Sequence, residues 1–402
     1  MANRKLQYAT IFLTCFIDIL GFGIVIPVLP LYGEHFGATP QQIGWLVGIF
    51  SLAQFFFAPV WGKLSDRVGR KPVLLIGSIG TVAGYILMGY AGSVLWLFIA
   101  RLIDGVAGAN ISAAQAYLAD ISSKENRAKA MGILGAAFGL GFVFGPALGG
   151  WAGAKFGYAA PMFIAAGLGV VNFAFILFCL PESRVPGTKS DERGRIFPEL
   201  LSHIEQRTYF RTLVSYFLVI AGFSMMTTVF ALLLWHRYHL DMLHTGYILA
   251  GIGIIGVIIQ GGLIGKLVKR FGEARLALTG SFFMGLGLAA LAVSPGVGGM
   301  FLATAAVGIG NSLLMPTLSA LASRSVEPDW QGRALGVMQS GGSLARWVGP
   351  MLAGILLGVQ SHHAGTSLYG FLPIMASASI LLLAAVAVFT IRPGEAEERV
   401  AA

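Results

Sequence analysis

The sequence is poor in charged residues. Only 11% of its 402 residues are Asp, Glu, Lys or Arg, whereas 56% are hydrophobic and the mean hydropathy is +0.77. A soluble globular chain carries about 25% charged residues, because polar groups must cover much of its surface. The shortage excludes a disordered protein and an ordinary soluble enzyme. It predicts a helical protein that crosses a membrane several times.

Other chemistry is also missing. The two cysteines, Cys15 and Cys179, lie inside apolar runs, so no disulfide framework is indicated. No Gly-x-x-x-x-Gly-Lys-[Ser/Thr] string is present, which argues against ATP as an energy source. No histidine lies at membrane depth, and we find no assembled nucleophile, base or metal site there. We therefore expect neither an enzyme nor a bound cofactor or metal ion.

Twelve stretches are long and apolar enough to cross a bilayer as helices, which takes about 20 residues. The sequence therefore predicts an all-α membrane protein with twelve transmembrane helices. The stretches lie at about 6–31, 42–62, 72–91, 94–118, 128–153, 159–180, 210–234, 244–266, 275–294, 297–322, 333–358 and 368–391.

The basic residues predict the orientation of these helices. With the N-terminus in the cytoplasm, 23 of the 27 Lys and Arg residues fall on cytoplasmic segments, and only Lys155 and Arg237 fall outside. This asymmetry follows the positive-inside rule, so we expect both termini in the cytoplasm. The net charge of +9 then faces anionic lipid headgroups, and no nucleic-acid partner is expected. The short loops suggest the inner membrane of a bacterium.

The chain contains an internal repeat. The segment Gly62–Gly69 returns as Gly265–Gly272 at an offset of 203 residues, and Gly145-Pro146 returns as Gly349-Pro350 at an offset of 204. Two motifs at nearly one offset predict a duplicated six-helix unit. Carriers built from such repeats bind substrate near the middle of the membrane, between the halves. We expect an N-terminal bundle at 1–181, a cytoplasmic linker at 182–209 and a C-terminal bundle at 210–402.

The segment Gly62–Pro72 joins the second and third predicted helices on the cytoplasmic side. Its glycines allow a tight turn, and Asp66 can lie against the positive end of a neighbouring helix. A basic loop that only fixes topology would explain the cations but not Asp66 or the glycine spacing. The segment resembles the signature loop of the major facilitator superfamily. This resemblance implies an inner gate latch made of Asp66, Arg70, Asp120 and Arg127.

The fifth predicted helix is rich in glycine. Small residues at this spacing let helices approach closely, and a proline disrupts the backbone hydrogen bonds. The pattern predicts either a pliable helix that suits a moving carrier or ordinary close packing. It resembles the antiporter signature of drug/proton exporters in the same superfamily. The hinge candidates are Gly141, Gly145, Pro146, Gly149 and Gly150.

Four charged residues fall inside predicted spans, where a charge is costly unless it is paired or hydrated. Arg101 and Asp104 stand one turn apart on the fourth helix and can pair. Their segment resembles the superfamily motif whose Arg is associated with proton coupling. Asp18 lies midway through the first helix, where a carboxyl group can bind and release a proton. All three are proton-coupling candidates, although each could instead be structural.

The fourth membrane charge, Arg346, leaves three alternatives open. It could pair with Asp18, contact an anionic group of the substrate, or extend towards the headgroups in a purely structural role. Six amide side chains also lie at central depth. They could bind substrate or join neighbouring helices by hydrogen bonds, and we weigh these alternatives equally. They are Gln54, Asn110, Gln115, Gln260, Asn311 and Gln339.

The second half departs from the first at the charged positions. In its copy of the latch, Lys269 replaces the acid and Glu273 replaces the base, so we expect no symmetric latch. Thr304 and Val307 stand where the first half has its membrane-embedded Arg and Asp. Proton coupling should then be confined to the N-terminal half.

Nearly the whole chain resembles the tetracycline-resistance branch of drug/proton antiporters in this superfamily. The resemblance implies two six-helix bundles and alternating access. It also implies export of a small amphiphilic molecule in exchange for protons, by a monomer in the bilayer. It is carried by Asp18, Gln54, the 62–72 segment, Arg101, Asp120, Arg127, the helix-five glycines and Gln260.

The chain departs from that branch at two positions. Members that pump tetracycline–metal chelates carry additional acids in helices three and nine, where this chain has Gly84 and Met284. We therefore expect a divalent chelate to bind poorly. Alternatives within the same fold are export or flipping of a lipid-like molecule or metabolite, and proton symport. A relic that no longer transports is disfavoured, because the latch charges are all present.

Overall fold

A computed structural model describes residues 4–108, 111–122, 127–183, 206–327, 330–360, 366 and 368–390. Helices joined by short turns make up almost all of this part of the chain. The first eight are α1 Arg4–Val25, α2 Leu29–His35, α3 Pro40–Val68, α4 Arg70–Gly89, α5 Val94–Ala107, α6 Ile111–Ile121, α7 Arg127–Phe156 and α8 Ala159–Cys179. The others are α9 Gln206–Tyr238, α10 Met242–Ile258, α11 Ile264–Phe271, α12 Glu273–Val293, α13 Val297–Arg324, α14 Gln331–Val359 and α15 Phe371–Phe389, with a π-helical turn Ile259–Leu263 between α10 and α11.

Eleven helical stretches of the described chain are long and apolar enough to cross a membrane. They match eleven of the twelve predicted windows. The remaining window, 94–118, holds the consecutive helices α5 and α6, and residues 109–110 between them lie outside the described part. The first window is shorter than predicted, because α1 ends at Val25 and a separate short helix follows, with Pro27 before it and Pro30 in its first turn.

Local sequence sets several helix ends. Thr39 caps α3 through a reciprocal pair of hydrogen bonds with Gln42, and Pro40 occupies the first helical position. Most of the 62–72 segment is helical rather than a loop, so the predicted tight turn is one residue long. That residue is Gly69, with φ of 104°, and Gly272 takes the equivalent place in the second half with φ of 76°. Glycine tolerates this left-handed region, which other residues avoid.

The described chain divides into two compact units. The first holds residues 1–191 together with 230–235 and 239–250, and the second holds the remainder. The predicted boundaries at 181 and 210 therefore stay a prediction, since much of the linker between them lies outside the described residues.

The first unit has two clusters of buried apolar residues. One cluster includes Leu20, Tyr85, Met88 and Met162, and the other includes Tyr117 with its neighbours from α1, α4 and α8. Here α1 packs against α7 and α8, whereas α4 packs against α5 and α8. These contacts bring the middle of α1, α4, α5 and α8 together around the polar residues described below.

The second unit is organised around α12, which packs against α13 and α15. Buried apolar residues such as Met284, Leu288 and Leu381 fill its interior. Large apolar side chains elsewhere are highly exposed, among them Leu302 and Phe389. Such surfaces are expected where helices face lipid rather than water.

Candidate functional site

Asp18 is held by α8. Asn172 Nδ2 donates a hydrogen bond to Asp18 Oδ1 over 2.9 Å and makes a longer contact of 3.5 Å with the carbonyl oxygen of Thr14. Asn172 is fully buried, whereas Asp18 is only partly buried. Within the described part, Asn172 Oδ1 and Thr14 Oγ1 have no hydrogen-bond partner. The carboxyl group is therefore anchored to α8 by a hydrogen bond, in a residue that is itself only partly buried.

Sequence reasoning missed Asn172. A signal was present, because this residue is an amide in an otherwise apolar stretch, as were the six amides that we singled out. Its partner Asp18 lies 154 residues away in the chain, so only the packing of α1 on α8 reveals the pair.

Arg101 and Asp104 form the predicted ion pair. Arg101 Nη1 lies 2.9 Å from Asp104 Oδ2, and both side chains are 2% exposed. The guanidinium also lies over the ring of Phe50, with its central carbon 4.3 Å from the ring centre, which is a cation–π geometry. Thr81 adds a hydrogen bond to Asp104. The pair is thus buried inside the first unit. Its role in proton coupling stays a prediction.

Tyr85 connects these groups. It is buried on α4 and interacts electrostatically with Asp18, Arg101 and Asp104. Gly21 on α1 makes room for it, since a Cβ atom at position 21 would lie 2.8 Å from the Tyr85 hydroxyl. Sequence reasoning missed this residue as well. The three predicted proton-coupling residues therefore belong to one polar cluster, which is completed by Tyr85 and Asn172.

The latch residues also come together. Arg70 lies 2.8 Å from Asp66 and 3.0 Å from Asp120, and its Nη1 donates a 2.6 Å hydrogen bond to Ser65 Oγ. Arg70 and Asp66 are buried, while the Asp120 side chain is 27% exposed. The fourth predicted member is Arg127, whose side chain lies outside the described part. All the pairs above are within the first unit.

Two residues after α8 extend the latch. Glu182 accepts hydrogen bonds from the backbone N–H groups of Arg70 and Lys71, at 2.8 and 3.1 Å, and so caps the start of α4. Ser183 donates to Asp120 over 3.2 Å. A carboxylate at a helix N-terminus satisfies unpaired donors and the positive end of the helix dipole. Sequence reasoning placed both residues in the linker and gave no sign of this contact.

The second unit contains a counterpart with inverted charges. Glu273 Oε1 lies 2.7 Å from Arg324 Nη2. Glu273 occupies the position of Arg70 and, at an offset of 204, Arg324 occupies that of Asp120. The predicted swap at Glu273 is therefore accompanied by a compensating cation that we missed. This pair is weaker than the first, because the Arg324 side chain is 58% exposed.

The glycines of α7 are packing residues. A Cβ atom at Gly141 would meet Ile19, one at Gly145 would meet the backbone of Gly23, and one at Gly149 would meet the backbone of α1 at residue 24. Gly150 packs against the start of α10, and α7 continues through Pro146 without a break. The α1 backbone that follows Asp18 thus lies directly on α7. The role of this stretch as a hinge stays a prediction.

The amide candidates divide by environment. Gln54 donates a 3.0 Å hydrogen bond to the carbonyl of Gly108, so it joins α3 to the end of α5. Gln115 and Gln260 are exposed, and Gln260 lies in the π-helical turn, a local feature that often marks functional sites. Asn311 is half-buried, and Asn110 lies outside the described residues. Gln339 belongs to the cluster described next.

Arg346 lies beside three polar groups of the second unit. Its Nη2 donates a 3.0 Å hydrogen bond to Ser343 Oγ, and it interacts electrostatically with Tyr216 on α9. The Tyr216 hydroxyl donates a 3.1 Å hydrogen bond to Gln339 Oε1. Gln339, Ser343 and Arg346 are spaced by four and three residues, so they share one face of α14.

Ionisable groups outside the spans are not arranged as a metal site. No group of three or more His, Cys, Asp or Glu among the described residues could hold a metal ion. On the α9–α10 connection, partial burial tends to raise the pKa of Asp241, but hydrogen bonds from the backbone and ring of His244 outweigh it and lower that pKa. The two side chains lie 2.6 Å apart and are about half exposed.

Comparisons with known proteins agree with this architecture. The family model described as Major Facilitator Superfamily matches residues 11–350 and 212–402. The chain belongs to the major facilitator superfamily. It is 30% identical over 347 residues to the class B tetracycline resistance protein of Escherichia coli, covering 85% of this chain and 86% of that protein. It is also 30% identical over 371 residues to multidrug resistance protein 2 of Bacillus subtilis, covering 90% and 91%.

Solved structures give the same fold. A bacterial homologue of the human lysosomal transporter Spinster, crystallised in an inward-facing and unoccupied conformation, superposes with a TM-score of 0.81 over 96% of each chain at 16% identity. The predicted major facilitator fold and the resemblance to the tetracycline-resistance branch are thereby confirmed. The protein is a multi-pass membrane transporter that carries small molecules, and its family is not enzymatic.

Proposed function

We propose that this chain is a proton-coupled secondary transporter that exports a small amphiphilic molecule by alternating access. It would act as a monomer in a bacterial inner membrane, with both termini in the cytoplasm. The observation that carries the proposal is the environment of Asp18. It is a partly exposed residue whose carboxyl group is anchored by Asn172 inside an apolar span, where an acid is otherwise costly. The relatives named for drug resistance support the direction of export.

The two membrane acids then have different roles. Asp104 is buried and its charge is already neutralised by Arg101, so it is poorly placed to exchange protons with water. Asp18 is the more exposed of the two residues, so it would be the acid that loses and regains a proton. The Arg101–Asp104 pair and Tyr85 would transmit that change electrostatically, because charges interact strongly where water is scarce. Asp18 is therefore the proposed proton carrier, and the other three tune it.

The latch and the glycine-rich helix would support the conformational cycle. Asp66, Arg70 and Asp120 hold the cytoplasmic ends of α3, α4 and α6 together, and this cluster would rearrange between states. The α7 glycines would let α1 shift on α7 without losing contact. The substrate contacts would come from the amide candidates and Arg346.

A tetracycline–metal chelate is not the proposed substrate. The position of the first expected acid is Gly84, and a Cβ atom there would lie 2.9 Å from the Cβ atom of Asp104 and 3.1 Å from the carbonyl oxygen of Ala100. The second position, Met284, is fully buried in the second unit. Neither position lines an open site that could hold a divalent cation.

The proposal is tested in proteoliposomes with an imposed pH gradient. Wild-type protein should move protons when drug is added, and Asp18→Asn should lower this movement to background because an amide does not titrate. Asp241→Asn removes an acid from the outer connection and should leave transport unchanged. Proton movement that persists in Asp18→Asn would refute the assignment. Substrate and protons moving in the same direction would favour a symporter instead.

A further inference from the structure

Among the described residues of its own unit, the membrane-embedded cation Arg346 has no acidic partner. It lies in α14, one of the apolar spans, and is partly exposed. A guanidinium offers five N–H donors, and the side-chain contact that it makes among the described residues is one hydrogen bond, to Ser343. A charge at this depth is stable only when it is paired or hydrated.

Neighbouring sequence offers no counter-ion. In helices α9 to α15, the only Asp or Glu is Glu273, which begins α12 and is already paired with Arg324. In the first half, Asp104 is neutralised by Arg101. Among these helices, Arg346 is therefore a positive charge that no acid balances.

The surroundings of Arg346 form a built site rather than an isolated side chain. Tyr216 and Ser343 are 6% and 9% exposed, whereas Gln339 is exposed and Arg346 partly so. Gly342 makes this arrangement possible, since a Cβ atom there would lie 2.9 Å from the Tyr216 ring and 3.5 Å from Arg346 Nη1. Tyr216 and Ser343 thus form the buried part of the cluster, and Gln339 is its most exposed member.

The chemistry of the cluster selects the charge of its ligand. Tyr216 already donates its hydroxyl proton to Gln339 Oε1, and Ser343 donates its own to the Gln339 backbone carbonyl oxygen over 3.3 Å. The donors left for a ligand are the remaining N–H groups of Arg346 and the side-chain NH2 of Gln339, and the net charge is positive. A planar guanidinium matches a carboxylate or another oxyanion with two parallel hydrogen bonds. A cationic ligand would instead be repelled by Arg346.

We propose that Arg346 and Gln339, held in position by Tyr216 and Ser343, bind the anionic headgroup of the transported amphiphile. The substrate class is then an organic anion with a carboxylate or similar oxyanion and an apolar body. This inference rests on the proposed transport function and names the substrate class for it. The substrate supplies the counter-ion that the described helices of the second unit lack.

The test measures binding to the full chain in nanodiscs by fluorescence titration. The probe is dansylated undecanoic acid, and its methyl ester is the neutral comparison with nearly the same apolar surface. Wild-type protein should bind the acid at least roughly tenfold more tightly than the ester, the size expected for a hydrogen-bonded charge. Arg346→Gln should remove this preference, and Arg346→Lys should keep part of it. Arg275→Gln removes an exposed cation elsewhere and should keep the preference intact.

Two results would overturn the inference. One is equal binding of acid and ester by wild-type protein. The other is an Arg346→Gln variant that loses affinity for both probes equally, which would identify Arg346 as structural. Proton movement in proteoliposomes separates this inference from the transport function. Proton-coupled export of cationic drugs without any preference for the acid would overturn the anion site alone. Preference for the acid without proton movement would support the anion site and refute the coupling.

Discussion

Asn172 donates a hydrogen bond to Asp18 over 2.9 Å, from a fully buried position on the neighbouring helix. An amide can serve a carboxyl group in either protonation state, because it carries both a donor and an acceptor. Its acceptor, Oδ1, has no partner in the described part of the chain. Asn172 can therefore donate to the carboxylate and accept from the carboxylic acid. This makes it a positioning residue for the proposed proton carrier.

Replacing this amide should impair proton coupling more than folding. Asn172→Leu removes both the donor and the acceptor, and a hydrogen bond to a charged group contributes about 1.5–3 kcal/mol. We expect substrate-driven proton movement to fall roughly tenfold and its pH profile to shift by about one unit. The measurement is the rate of proton movement in proteoliposomes across a pH series.

A matched control separates this effect from loose packing. Ser78→Ala removes another buried side-chain contact on α8, the 3.4 Å hydrogen bond from Ser78 Oγ to the carbonyl of Gly169. It should leave the pH profile unchanged. If Asn172→Leu lowers the rate at every pH by the same factor, Asn172 is a packing residue and not a partner of Asp18.

For the Arg101–Asp104 pair, we expect stability and transport to respond differently to replacement. Asp104→Asn leaves a buried guanidinium without its counter-ion, which should cost about 3–5 kcal/mol of stability. The double variant Arg101→Met, Asp104→Leu removes both charges and should regain most of that loss, while transport remains low because the charges that tune Asp18 are gone. Thermal unfolding in nanodiscs gives the first quantity and proteoliposome transport the second. Full transport by the double variant would make the pair purely structural.

The sequence predicted best those features that are visible along the chain. Apolar stretches gave the helices, and lone charges within them gave Asp18, the Arg101–Asp104 pair and Arg346. Contacts between helices that are distant in the chain were harder to predict from the sequence. Asn172 carried a weak signal whose meaning depends on the packing of α8 against α1. Glu182 carried none, because its capping of α4 depends on the path of the chain after α8. The internal repeat does predict Arg324, because an offset of 204 residues from Asp120 leads to that position.

Gly62 and Gly69, at the two ends of the Gly62–Gly69 segment, should differ in how well they tolerate replacement by alanine. Gly69 has φ of 104°, and a Cβ atom there would meet the Glu182 carboxylate. Gly69→Ala should therefore cost about 1–3 kcal/mol and disturb the cap of α4. Gly62 lies inside α3 with open space around it, so Gly62→Ala should be neutral or stabilise by about 0.5–1 kcal/mol. Thermal unfolding of the two variants checks the contrast, and equal losses would contradict it.

The charge-inverted pairs of the two halves should contribute unequally. Arg70→Gln leaves the buried Asp66 and the partly buried Asp120 without their shared cation, so we expect a loss of about 3 kcal/mol or more. Glu273→Gln breaks a pair whose Arg324 is mostly exposed, and should cost less than about 1 kcal/mol. The exposed pair should also weaken with added salt, since ions screen charges in contact with water. Unfolding midpoints at low and high salt test both statements. A larger loss for Glu273→Gln than for Arg70→Gln would mean that the second pair is the stronger one, against the burial of the two sites.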